Sequence, residues 1–183
     1  MSTRGCIARL TSRSPICFEG VYHHWDSYPS GLGRMLYQLW NQDFQRDTQA
    51  MLRTLIDAHG AGWSTIVGCR FKDGQSDADE SRSPSCYCHG GRSESAWRVT
   101  EKNASGSGIE YVYAFDGDTM VVLGSFIEEG QKMIGMFGSG DPNASWRILA
   151  EINLLGREPD WEALDGGILI YPVQMKPQRR KSR

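Results

Sequence analysis

Apolar and polar positions near the start of the chain alternate with the two-residue period of β-strands. Gly5 to Leu10 and Ile16 to His24 are separated by the turn-forming run Thr-Ser-Arg-Ser-Pro, and together they predict a β-hairpin. In the second strand Ile16, Phe18 and Tyr22 share one face, whereas Cys17, Glu19, Val21 and His23 share the other. If that strand stays regular to its end, His24 joins Phe18 and Tyr22, so one of the two adjacent histidines looks into the core and the other away from it. The period then lengthens. Leu32, Met35, Leu36, Leu39 and Trp40 recur at helical spacing behind a Ser30-Gly31-Leu32-Gly33 turn. A second stripe of Thr48, Met51, Leu52, Leu55 and Ile56 follows, with Asp47 as N-cap and Gly60 as stop. Two helices with a break near residues 43–46 are expected, and their amphipathicity lays them on the face of a sheet.

Lys72 to Ser85 holds no apolar residue but Ala78, so it predicts a loop that cannot pack. Ile109 to Phe115, Thr119 to Phe126 and Lys132 to Phe137 are rich in β-branched and aromatic residues and broken by Gly or Asp, the pattern of antiparallel meander strands. Arg147 to Leu154 reads as a further strand or a short helix. The fold class expected is therefore α+β: an antiparallel sheet with an N-terminal hairpin and two helices packed on one face.

The length of 183 residues suits one domain, expected over residues 1–175. No apolar run reaches the 18 or so residues of a membrane span, and the N-terminus lacks a signal-peptide core, so the expectation is a cytoplasmic protein with no membrane partner. Five cysteines are an odd number and too few for a disulfide scaffold, which suits free thiols in a reducing compartment. Lys176 to Arg183 holds five basic residues and no acid, leaving 15 basic against 22 acidic residues in the first 175, a net of −7. An acidic body argues against a nucleic-acid partner, and the tail at 176–183 reads as a basic, disordered end. Nothing in the composition rules on a homo-oligomer.

Chemistry-bearing residues concentrate in two places. The first is the strand-to-helix turn with His23, His24, Trp25, Asp26, Tyr28, Ser30, Gly31 and Gly33. A helix start offers backbone N–H groups to an anion, and glycines let a ligand approach the backbone, so this turn suits a phosphate or carboxylate. Its glycine spacing is neither that of a Walker loop nor that of a dinucleotide fingerprint. The bland alternative is that Asp26 and Ser30 cap the turn while Trp25 and Tyr28 plug the core. The second is Cys86-Tyr-Cys88-His89-Gly-Gly-Arg92. Thiolates and imidazole are zinc donors, but a fourth ligand would have to come from His23, His24, His59 or a distant cysteine, and three donors in four residues are crowded. The expectation is that no metal or other cofactor is required. Arg92 is a candidate bidentate donor to an anion, and the glycine-rich run Asn103 to Gly108 reads as a plain turn.

The matching residues Trp25, Asp26, Tyr28, Pro29, Gly31 and Gly33 make the turn resemble the signature Trp/Phe-Asp-Ser/Gly-Tyr-Pro-x-Gly-x-Gly of an uncharacterised group of bacterial, phage and fungal proteins. A longer run through Ala61 to Ile66, Cys86 to Gly90, Asn103 to Gly108 and Lys132 to Gly138 resembles a narrower bacterial and phage subgroup, over roughly residues 1–165. The resemblance implies a hairpin before the motif and helices after it, and brings no activity. The leading expectation is binding of an anionic, nucleotide-like small molecule. Trp25 and Tyr28 would stack on a base, His23, His24 and Arg92 would meet negative charge, and Asp26 would accept from a hydroxyl or amine. A phage setting would make this sequestration of a signalling nucleotide. The rival is a hydrolase with His24 as general base, oriented by Asp26, and water, Ser30 or Cys88 as nucleophile. A third reading is a protein-interaction module using its tryptophans and basic tail. In the first two readings residues 22–33 and 86–92 line one cavity.

Overall fold

The structure is a computed structural model that describes residues 3–69, 71–72, 75–76, 84–89, 96–126 and 145–165. Its strands are β1 (Gly5–Arg13), β2 (Ile16–His23), β3 (Trp63–Thr65), β4 (Phe71–Lys72), β5 (Gln75–Ser76), β6 (Ser85–Cys86), β7 (Val99–Thr100), β8 (Tyr111–Asp116), β9 (Thr119–Phe126) and β10 (Ser145–Asn153). The main sheet runs β10-β9-β8-β1-β2-β3-β6 with β7 beside β2, and β4 pairs with β5 separately. The N-terminal hairpin is present, in register from Gly5 opposite His23 to Arg13 opposite Ile16. Helical segments occupy residues 29–43 and 48–57, each α-helical in part and π-helical in part, and Trp161–Asp165 adds a short helix.

The architecture is α+β, as the periodicity predicts, but the sheet is mixed. β1 runs parallel to β8 and β2 parallel to β3. The second pairing has a simple cause. The chain leaves the end of β2, crosses one face of the sheet through both helical segments and returns at β3, and a crossover of that kind delivers a parallel neighbour. Short turns between adjacent strands are legible in sequence, whereas a partner forty residues away is not.

Strand alternation builds two cores. Ile7, Val21, Tyr113, Met120 and Val122 point to the face covered by Leu32, Leu36, Leu39, Trp40, Met51, Leu52 and Leu55 from the helical segments, with Trp161 completing the layer. Cys6, Ala8, Phe18, Val112, Ala114, Val121 and Leu123 point to the other face, against Val99, Ala104 and Ile109 from the segment before β8. Burial on both faces explains why β8 and β9 read as nearly unbroken apolar runs. The expected break between the helices is the turn where Asp47 caps the second segment by accepting from the Ala50 N–H at 2.8 Å.

The expected strand at 147–154 is β10, and Asn103 to Gly108 is the plain turn expected, its Asn103 Oδ1 accepting from the Thr100 N–H at 2.8 Å. The loop expected at 72–85 lies mostly outside the described residues, although Lys72, Gln75 and Ser76 belong to the small β4–β5 hairpin and Ser85 opens β6. The strand expected at 132–137 and the tail at 176–183 also lie outside them. No helix among the described residues is long and apolar enough to cross a membrane.

Candidate functional site

The motif turn starts where β2 ends. The His24 and Trp25 amides donate to the Trp63 and Ser64 carbonyls of β3, so the sheet ladder continues past His23. Asp26 then adopts φ 55, a left-handed conformation that short polar side chains tolerate, and the chain reverses. The Asp26 carbonyl accepts from the Leu32 N–H at 3.0 Å, and the Ser27 carbonyl accepts from Tyr113 Oη at 2.8 Å. Ser30 is held from the far end of the chain: its N–H and hydroxyl both donate to the Asp165 carboxylate.

The two motif glycines serve this packing rather than a ligand. A Cβ on Gly31 would stand 2.3 Å from the Asp26 carbonyl oxygen, and one on Gly33 would stand 2.9 Å from the rings of both Trp161 and Tyr113. The space against each is filled by the protein's own atoms, which corrects the expectation that the glycines admit a ligand.

His23 is likewise committed to the fold. It has no solvent exposure. Its Nε2 accepts from the Ile66 N–H at 3.2 Å, so Nδ1 carries the hydrogen and donates to Ser27 Oγ at 2.7 Å. Burial, with the neighbouring His24 adding to it, pushes its pKa down to about 3. A neutral, fully bonded imidazole cannot meet a ligand's negative charge, so the expected anion contact at His23 is not available.

His24, one residue on, turns to the other side of the sheet and joins a group of rings. Tyr22 Oη is hydrogen-bonded to His24 Nδ1 at 2.7 Å. Around Tyr22 stand Tyr87 at 6.4 Å and Trp97 at 6.2 Å between ring centroids, and Trp25 sits edge-on to His24 at 4.6 Å. Trp25 is 48% exposed and Trp97 41%, so these rings face solvent and do not plug the core. Tyr28 is exposed as well. Arg4 lies close enough for its charge to lower the pKa of His24, after burial as the larger cause, and to oppose the burial that raises Tyr22 and Glu110. Arg4 Nε is shielded from solvent and has no hydrogen-bond partner among the described residues.

A few residues away is a corner of thiols and imidazoles. The Trp63–Cys86 pairing of β3 and β6, together with the Tyr87 N–H donated to the Gly62 carbonyl at 3.0 Å, fixes residues 86–87 against the turn after the second helical segment. That turn carries His59, whose ring rests on Trp63 with centroids 4.1 Å apart. Cys86 Sγ is 3.1 Å from His89 Nδ1, and Cys88 Sγ is 3.5 Å from His59 Nδ1. The four donor atoms all lie within 4.8 Å of one another. Burial, then the neighbouring Cys86, raises the Cys88 thiol, while the backbone amides of Ala61 and Cys88 act the other way.

Residues 22–33 and 86–89 thus adjoin, but through Tyr22 and Tyr87 rather than through a ring of buried polar groups. Arg92 lies outside the described residues. Tyr22 Oη is bonded to His24 Nδ1 and Cys88 Sγ lies against His59 Nδ1, which are not the pairings that a His24–Asp26–Cys88 hydrolase would use. Arg4, His59, Tyr87 and Trp97 enter the site without having been singled out as site residues in the sequence. His59 alone left a trace there, as one of four histidine or cysteine sources for a missing donor. No protein-family model, curated protein or solved structure matches the chain.

Proposed function

We propose that this protein is a recognition domain that binds and holds an anionic aromatic small molecule of the nucleotide class on the ring cluster around Tyr22. The observation that carries the reading is convergence. Tyr22, His24 and Trp25 from the end of β2, Tyr87 after β6 and Trp97 before β7 come together on one solvent-facing surface, with the Arg4 guanidinium near them. Exposed indoles offer flat faces for a base, and the arginine and His24 supply donors for a phosphate. Leaving two tryptophans in water is unfavourable for an isolated fold, and a stacked ligand would cover them. Binding without turnover fits the pairing of His24 with Tyr22, and the sequestering role that a phage setting would suggest is retained as part of the reading.

Quenching of tryptophan fluorescence by a panel of mono-, di- and cyclic nucleotides tests this directly. A member of the panel is expected to bind, and Trp97→Ala or Trp25→Ala to weaken it by roughly 5- to 150-fold, since stacking on one aromatic ring contributes about 1–3 kcal/mol. Arg4→Gln should weaken phosphate-bearing members more than the bare nucleosides. A panel that leaves the fluorescence unchanged at millimolar concentration would sink the reading and leave the exposed rings as a surface for a protein partner.

A further inference from the structure

We infer that His59, Cys86, Cys88 and His89 form a structural zinc site. Two thiols and two imidazoles are the donor set that selects a borderline-soft, tetrahedral ion over magnesium or calcium. Zinc bonds of about 2.3 Å to sulfur and about 2.0–2.1 Å to nitrogen set sulfur and nitrogen donors roughly 3.5 Å apart across a tetrahedron. The two S···N separations in the corner are 3.1 and 3.5 Å, and no pair of the four donors exceeds 4.8 Å. Both imidazoles present Nδ1 to a thiol, as two ligands of one ion would.

The crowding that argued against a metal in the sequence is relieved by the local backbone. Cys86 ends β6, and the chain bends over residues 87–89, which brings Cys88 and His89 into one corner with Cys86. The fourth donor arrives from a separate element, and its position is fixed independently: His59 stacks on Trp63, and the Gly60 carbonyl accepts from the Trp97 N–H at 2.9 Å.

Binding is balanced in charge. Each cysteine gives up its thiol proton to solvent, and two thiolates neutralise Zn(II), leaving a neutral unit in a half-buried corner. Four protein ligands leave no open coordination position, so the ion is structural and activates no water. Its mechanical effect is to clip the end of the second helical segment to β6. Tyr87, held between Cys86 and Cys88, is thereby fixed against Tyr22. The site stands on its own donors and does not depend on the nucleotide reading.

The full chain, purified in reductant without chelator, is expected to carry one zinc per chain by elemental analysis. Replacement with Co(II) should give the visible d–d bands of a tetrahedral ion together with near-ultraviolet thiolate-to-cobalt charge transfer. Cys88→Ser and the exposed-ligand variant His89→Ala should each weaken Zn(II) binding by at least ~100-fold, the upper end of what losing a mere outer-shell partner costs. Cys17→Ser, a thiol elsewhere in the chain, should bind as the wild type does. Four results would each overturn the proposal. They are a wild-type chain that takes up no zinc at micromolar concentration when reduced, a cobalt spectrum without the thiolate band, a Cys86–Cys88 disulfide in place of metal, and unchanged zinc affinity in Cys88→Ser. The cobalt spectrum is read on the wild type, so a variant that fails to fold does not blunt the test.

Discussion

Gly31→Ala is expected to destabilise the protein by about 3 kcal/mol and to lower its melting temperature by roughly 6–12 °C, with no ligand present. The new methyl group would stand 2.3 Å from the Asp26 carbonyl oxygen, a backbone atom that cannot rotate away. That carbonyl already accepts from the Leu32 N–H, so moving it also loosens the first turn of the helical segment. Thermal denaturation of wild type and Gly31→Ala without nucleotide measures the effect. Asp26→Gly is the matched control: at φ 55 a glycine is unstrained, and removing the carboxylate should change stability little. If Gly31→Ala melts as the wild type does while nucleotide affinity collapses, the glycine serves a ligand and its packing role is wrong.

His23 should make the fold sensitive to acid. Its imidazole titrates near 6.5 in the unfolded chain and near 3 in the fold, so below pH 6.5 the unfolded state binds the extra proton and stability falls as pH falls. The loss is about 1.4 kcal/mol per pH unit and reaches about 3 kcal/mol by pH 4, before levelling off near pH 3. Above pH 6.5 the imidazole is neutral in both states and the contribution is complete. Urea unfolding of wild type and His23→Gln across pH 7 to 4 separates this contribution from those of the other groups, because the two proteins share them. The variant should begin about 1–3 kcal/mol weaker at pH 7, having left a buried donor or acceptor unpaired, and then lose stability less steeply. Parallel pH profiles would show that His23 is not the group responsible.

The same histidine shows how far the motif was legible. Two adjacent histidines on a strand must face opposite sides, and the structure sends His23 inward and His24 outward to the rings. Which one would be available to a ligand depended on where the ladder stopped. His24 and Trp25 still bond to β3, a strand four decades of residues along the chain whose parallel pairing no local turn announces. Gly31 and Gly33 were equally ambiguous. A glycine needed for close approach looks the same in sequence whether the approaching atom belongs to a ligand or to Trp161, which lies some 130 residues away.

What the sequence by itself determined was governed by period and short range. The hairpin follows from alternation on either side of a turn, the helical segments from stripes at three and four residues with Asp47 as cap, and β8 and β9 from runs rich in β-branched and aromatic residues broken at a turn. These signals are local because each depends on the geometry of a few consecutive peptide units. The tertiary structure alone decided the parallel pairings, the surface where Tyr22 meets Tyr87 and Trp97, and the fourth donor beside the two cysteines and His89. Each of these joins segments that no local period links, and the donor set in particular was three-quarters visible as Cys86, Cys88 and His89. His59 completed it only because the crossover from β2 to β3 ends its second helical segment against β6, where burial of Trp63 fixes the position of the imidazole stacked on it.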